Sequence, residues 1–259
     1  LSLFQLLANE SLASLENAAP YLLSQPMPLE RIRNLELEAK KSAFFNKDDA
    51  PQLLLRHHLM QAKLAGFMQS PQYVFQRYPS ADKSLPARYA RSISMFRKGD
   101  TKNAIPIIDS LIRDIPENPY FWELKGQALL EGGAPAKALA SLRQANKLLP
   151  NSGLIQILYA QALIATEDRA NIKQALNLLT LAKKTERDSV DVYKYSALAY
   201  GYLNDLPRAE LATAEMAMMQ GDMALASEKA KRVIGQFKHG SPEWMKANDV
   251  LNFTSKERN

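Results

Sequence analysis

The stretch Pro119-Tyr120-Phe121-Trp122-Glu123-Leu124-Lys125-Gly126-Gln127-Ala128-Leu129-Leu130-Glu131-Gly132-Gly133-Ala134-Pro135 decides how the chain folds. Trp122 and Gly126, then Ala138, Ala145 and Pro150, stand where a module of two antiparallel helices needs them. The small residues let the paired helices approach closely, Trp122 fills the wedge between them, and Gly132-Gly133-Ala134-Pro135 makes the turn. Pro150 stops the second helix. The module then returns on both sides. One period earlier, Gly99, Ala104 and Pro116 take the turn, close-packing and terminator positions. One period later, after about three extra residues assigned to a longer turn over 166–172, Ala175 and Ala182 reappear. Tyr193, Ala197, Tyr200 and Ala209 open a fourth copy.

A period of about 34 residues written as helix–turn–helix is that of the tetratricopeptide (TPR) repeat. The sequence therefore predicts an all-α, TPR-type α-solenoid of antiparallel helix pairs, with additional N-terminal helices and a C-terminal capping helix. Composition agrees: 259 residues rich in Ala and Leu, only 10 Gly, and no alternating β-branched runs. Three regions are expected: 1–48, a helical segment; 49–84, a helical connector; and 85–259, the solenoid. The solenoid divides near 85–118, 119–152, 153–189 and 190–221, with capping helices to 259. The repeat weakens after Met216, where 211–219, 223–237 and 242–253 read as three further helices. Leu3, Phe4, Leu6, Leu7 and Leu12 suggest an amphipathic opening helix, and Gln25-Pro26-Met27-Pro28 an extended break before a helix over 29–44. Ser70-Pro71 and Ser241-Pro242 are helix starts, each a serine cap with proline at the first position.

The formal charge of +6 is spread among 27 acidic residues, with no basic run, so a solvated helix surface is expected and not a nucleic-acid site. Cysteine is absent, which excludes disulfides and thiolate metal sites. No apolar run approaches the ~20 residues that span a bilayer. His57 and His58 point about 100° apart on a helix and cannot share a metal as an i, i+4 pair would. There is no HExxH, nucleophile elbow or phosphate loop, and Glu123 and Glu131 read as helix-face carboxylates. The chain by itself is expected to be neither an enzyme nor the holder of a cofactor.

The candidate site is the wall formed by the first helix of each pair. Positions two, five, nine, twelve and thirteen of that helix face outward in this register. They give Tyr89, Ile93 and Arg97 in the first module, and Tyr120, Glu123, Gln127 and Glu131 in the second. The third supplies Ile157 and Gln161; the fourth supplies Asp191, Lys194 and Tyr202. Tyrosine, arginine and amide side chains on such a face are types enriched at protein interfaces, so a protein or peptide partner is expected.

The wording itself resembles one family. Residues 84–91 (Ser84 to Arg91) and 118–131, together with Ala199-Tyr200-Gly201, Asp205-Leu206-Pro207, Gly221-Asp222 and Trp244 before Asn248-Asp249, resemble the TPR half of bacterial M48-type zinc metallopeptidases. They are most similar to the alphaproteobacterial branch of the periplasmic, BepA-like proteins. That resemblance implies a peptidase domain in cis upstream, carrying HExxH and its zinc, and a segment 1–48 that ends it. It also implies a periplasmic location, and a TPR half that engages substrates, outer-membrane proteins or their assembly machinery in envelope protein quality control. Members commonly carry a zinc-approaching histidine in a His-Pro pair where this chain has Gln25-Pro26, and a glutamine amide is a poor zinc ligand. The alternative expectation is a stand-alone TPR adaptor or assembly protein with no peptidase domain.

Overall fold

Pairs of helices follow one another from residue 85 to 256 in a computed structural model that describes residues 28–47 and 49–256. Among the described residues there are thirteen α-helices and no strand. The expected opening helix with Leu3, Phe4, Leu6, Leu7 and Leu12, and the altered position Gln25, lie outside them.

The chain divides into two compact units, Leu1–His57 and His58–Asn259. In the described part of the first unit, α1 (Pro28–Lys41) ends three residues before the expected Phe44, in turns closed by Ser42 N–H to Ala39 O and Phe45 N–H to Ser42 O. Its surface carries the i, i+4 pair Lys40–Glu36 at 2.8 Å. The boundary falls inside α2 (Pro51–Met68) because packing into the repeat core begins only with Leu59 and Ala62. The second unit then holds α3 (Pro71–Arg77), capped by Ser70, whose hydroxyl accepts from Tyr73 N at 3.3 Å.

Four helix pairs follow: α4 (Leu85–Arg97) with α5 (Thr101–Asp114), α6 (Pro119–Glu131) with α7 (Pro135–Leu148), α8 (Gly153–Ile164) with α9 (Arg169–Ala182), and α10 (Val190–Tyr202) with α11 (Leu206–Met219). Each turn within a pair uses the same device. The first helix ends, one residue takes positive φ, and in three of the four pairs an Asp side chain caps the second helix, whereas Ala134 in the second pair makes no such bond. Gly99 has φ +81°, Gly133 +77° and Asn204 +62°. Asp100 accepts from Asn103 N, and Asp205 from Arg208 N. Asn204, like Glu167 at φ +57° in the third pair, adopts the left-handed conformation that glycine supplies in the first two, and asparagine does so more readily than most residues.

Two expectations need correction. The third module is longer, but its turn within the pair, residues 165–168, exceeds the others by only one residue. The extra length sits after the pair, where residues 183–189 connect to the next module in place of the four-residue links 115–118 and 149–152. Such a link tolerates insertion because the entropic cost of closing a loop grows only slowly with its length. The fourth module is also not weak: α11 begins at Leu206 and runs unbroken to Met219, so no separate helix starts at Leu211. After it, α12 (Met223–Val233) and α13 (Pro242–Lys256) pack on α11 and on each other as a further, shortened pair.

Two large core clusters run through the modules. Ala90, Ile93, Ile108, Leu111, Phe121 and Ala128 anchor one; Leu142, Tyr159, Leu163, Leu179 and Ala199 anchor the other. Trp122 does not fill the wedge within its pair. Its indole Nε1 donates to Pro116 O at 2.7 Å and so pins the link to the preceding module. The close approach inside the pair comes from Gly126 instead, where an added Cβ would lie 2.5 Å from Leu142 Cδ2.

The terminal helix is held by charge as well as packing. Arg208 donates from Nε and Nη2 to Glu243 Oε1 at 3.0 and 2.9 Å, and from Nη1 to Asp205 Oδ2 at 2.7 Å. The Arg208 hydrogen bond holds the Glu243 carboxyl below its ordinary value. A carboxylate with a depressed folded pKa contributes stability above its unfolded pKa of about 4.3 and loses it as pH falls through the folded value. Amides of α13 should therefore exchange faster at pH 3 than at pH 6, after correction for intrinsic rates. Glu243→Gln should abolish most of that difference; an unchanged difference would show that the pair does not hold the helix.

Candidate functional site

The first helices α4, α6, α8 and α10 carry the expected site residues, and the structure divides these residues into an open set and a covered set. At the first module the face is closed by the chain itself. Residues of α2 from His58 onward lie across it: the Arg97 guanidinium donates to Phe67 O, and a Cβ on Gly66 would come within 2.9 Å of Ile93 Cγ2. Consequently Ile93 is fully buried and Tyr89 is only 3% exposed, its ring edge-on to Phe121 at 5.2 Å. Burial, with Glu123 and Tyr120 nearby, raises the Tyr89 phenol far above its ordinary pKa. Tyr89 and Ile93 are core residues and do not line an open wall. Ile157 is likewise in the core, because α8 and α10 touch and cover the fifth position of α8.

Beyond that point the face opens. Tyr120 is 45% exposed, with Lys63 Nζ 5.0 Å from its ring centre. The same lysine pairs with the half-buried Glu123 at 3.2 Å. Farther along α6, Gln127 donates from Nε2 to the exposed Glu131 carboxylate at 2.9 Å. Gln161 of α8 is half-buried. On α10, Asp191 and Lys194 form a loose surface pair at 4.0 Å. Tyr202 is exposed and donates its hydroxyl to Glu167 Oε1 at 3.2 Å, and that carboxylate raises its pKa.

Two apolar side chains belong with this open set. Leu154 is 62% exposed at the second position of α8, and Leu198 is 46% exposed at the ninth of α10. Both stand at positions of the same count that gives Tyr120 and Gln127, though the sequence reading of the face names neither. Lys63 lies in a helix outside the repeats, and no repeat spacing points to it. The resulting surface alternates solvated leucine and tyrosine with charged and amide groups over three modules. Such a surface can bind by apolar burial while polar neighbours fix register.

Nothing in the described residues gathers three His, Cys, Asp or Glu side chains as a metal ion requires, and no described helix is long and apolar enough to cross a membrane.

No family model and no curated protein matches the chain. Among solved structures, "MamA 41-end from Desulfovibrio magneticus RS-1" is similar with a TM-score of 0.51 at 16% identity, over 68% of this chain and 97% of that one. "MamA RS-1 ArsTM double mutant" also gives 0.51, at 15% identity, over 69% and 98%. YrrB, described as a TPR protein with an unusual peptide-binding site, gives 0.49 at 18% identity, over 77% and 97%. At such identities the MamA likeness speaks to fold alone, and with the repeated helix pairs it makes this chain an all-α, TPR-type solenoid.

Proposed function

We propose that the chain is a protein-interaction scaffold whose ligand surface is the open face of α6, α8 and α10. One observation carries this reading: Tyr120 and Leu154 stay exposed at the second position of α6 and α8, and Leu198 and Tyr202 at the ninth and thirteenth of α10, all positions of one helix face. Large apolar groups held apart on a rigid, repeated frame present anchors without needing to reorganise, which keeps the cost of binding low. The occupant is an extended peptide or a protein edge, and a few anchors carry most of its affinity. Changing Leu154→Glu together with Leu198→Glu should weaken partner retention at least about tenfold, since buried anchors are each worth more than 1 kcal/mol. The helical signal should not change, because neither side chain is in a core cluster. A folded double variant that retains its partner fully would rule out this face.

The finer reading is that this scaffold serves an M48-type zinc metallopeptidase in the periplasm, in envelope protein quality control, with the zinc held by the peptidase domain and none by these helices. Its support is the resemblance of residues 84–91 and 118–131 and of the tail around Trp244. In that setting the open face receives outer-membrane proteins or their assembly machinery. An antibody against the chain, used on fractionated source cells, tests this. A periplasmic band well above 29.0 kDa supports it, and a band near 29.0 kDa with no larger precursor leaves a stand-alone adaptor.

A further inference from the structure

A cleft of about 140 Å³ opens between α9, α10, α11 and α13, on the other side of α10 from the face described above. Its lining includes Lys183, Tyr193, Ser196, Tyr200, Arg208 and Glu215. Tyr193, Ser196 and Tyr200 are the fourth, seventh and eleventh residues of α10, whereas the open face uses the second, fifth, ninth and thirteenth.

The repeat explains why space exists there. The seventh residue of α8 is Tyr159, which is almost wholly buried, its hydroxyl accepting from Arg143 Nε and Gln174 Nε2, both at 3.3 Å. The seventh residue of α10 is Ser196, so the corresponding slot lacks an entire phenol ring. Ser196 donates its hydroxyl to Val192 O at 2.7 Å and does not reach across the gap. The walls keep groups suited to a phenol. Lys183 Nζ lies 4.3 Å from the Tyr193 ring centre and 2.9 Å from Glu215 Oε1, and Tyr200 contributes a second ring.

We propose that this cleft is a second binding site, which receives the tyrosine side chain of a protein partner in the slot that Tyr159 fills within its own module. The size selects a side chain over a cofactor: cavities of about 150 Å³ hold a benzene-sized ring, whereas small-molecule sites run to several hundred. The polar lining selects a phenol over a plain phenyl ring, because an apolar ring would desolvate the Lys183–Glu215 pair and offer it no hydrogen bond in return. This site does not depend on the open face being a ligand surface.

The test is amide NMR of the full chain titrated with p-cresol, the tyrosine side-chain analogue, and separately with toluene. The expected result is saturable shifts at Tyr193, Ser196 and Tyr200 with p-cresol, and markedly weaker ones with toluene. Ser196→Tyr fills the slot from within and should remove the p-cresol shifts, while Ser196→Ala, which leaves it open, should keep them. Absent or non-saturable shifts in the unaltered chain would overturn the proposal, as would equal response to toluene or undiminished p-cresol binding by a folded Ser196→Tyr variant.

Discussion

Gly126→Val should destabilise the chain by about 2–3 kcal/mol and lower its melting temperature by roughly 5–10 °C, from the usual cost of overpacking a filled core and the usual dependence for a chain of this size. The cause is local and steric. A Cβ at position 126 would sit 2.5 Å from Leu142 Cδ2 and 3.2 Å from Cδ1, and Leu142 is fully buried in the main cluster. It has no solvent to turn into, so α6 and α7 must move apart. Valine is a better helix former than glycine by a fraction of a kcal/mol, so propensity alone predicts the opposite sign. Gly201→Ala makes that contrast measurable. Gly201 lies in the last turn of α10, its Cβ would meet nothing within 4 Å, and alanine there should stabilise by about 0.5–1 kcal/mol. Thermal melts followed by circular dichroism should separate the two variants in opposite directions. A neutral Gly126→Val would mean that the helices are not as close as the structure places them.

Arg91→Met should cost about 3 kcal/mol, and its effect should be confined to the N-terminal side of the repeats. Arg91 is 5% exposed, yet no carboxylate oxygen among the described residues bonds it. Its Nη1 donates to Tyr78 O at 3.2 Å and Pro79 O at 2.7 Å, and its Nη2 to Asp82 O at 2.8 Å. Burial lowers its pKa, and the nearby Asp82 charge only partly offsets this. The guanidinium thus ties the irregular link between α3 and α4 to α4, and its planar fork is what lets one side chain serve three carbonyls. Methionine fills similar volume but leaves those carbonyls unpaired. Lysine should rescue only partly, since a single ammonium cannot reach all three. Hydrogen exchange should show residues 71–84 opening first in Arg91→Met while α8 to α11 keep their protection, as expected where each module contacts only its neighbours. Uniform loss of protection along the chain would contradict this account.

The solenoid was legible because its signals are local. Turn residues at Gly99, Gly133 and Asn204, and small residues at Gly126, Ala138 and Ala145, each act within one helix pair, where spacing along the chain maps directly onto contact. The candidate face was only half legible. At their register positions Tyr120, Glu131 and Tyr202 are exposed and Gln127 half-buried, but register says nothing about what a segment outside the repeats will cover. Tyr89 and Ile93 occupy outward positions of α4 and are buried all the same, because α2 carries Ala62 and Gly66, residues small enough to seat it closely. That contact joins positions some thirty residues apart with no repeat to announce it. Trp122 is hard to place for a related reason: its ring volume suits a wedge within the pair, while its indole N–H is satisfied by a carbonyl of the preceding link. The cleft beneath Ser196 is visible only by comparing two modules position by position, since a serine inside a helix is unremarkable until Tyr159 is set beside it.

The central claim is that the open face of α6, α8 and α10 carries the partner. The most direct measurement is photo-crosslinking in the source cells, with a photoreactive residue placed in the full chain at Leu154 or Leu198, and at Lys137 or Lys173 on the exposed sides of α7 and α9 as controls. The account predicts one discrete protein adduct from positions 154 and 198, lost when Tyr120 and Tyr202 are both changed to alanine, and none from 137 or 173. No adduct from the first-helix positions, or equal adducts from both sets, would contradict it.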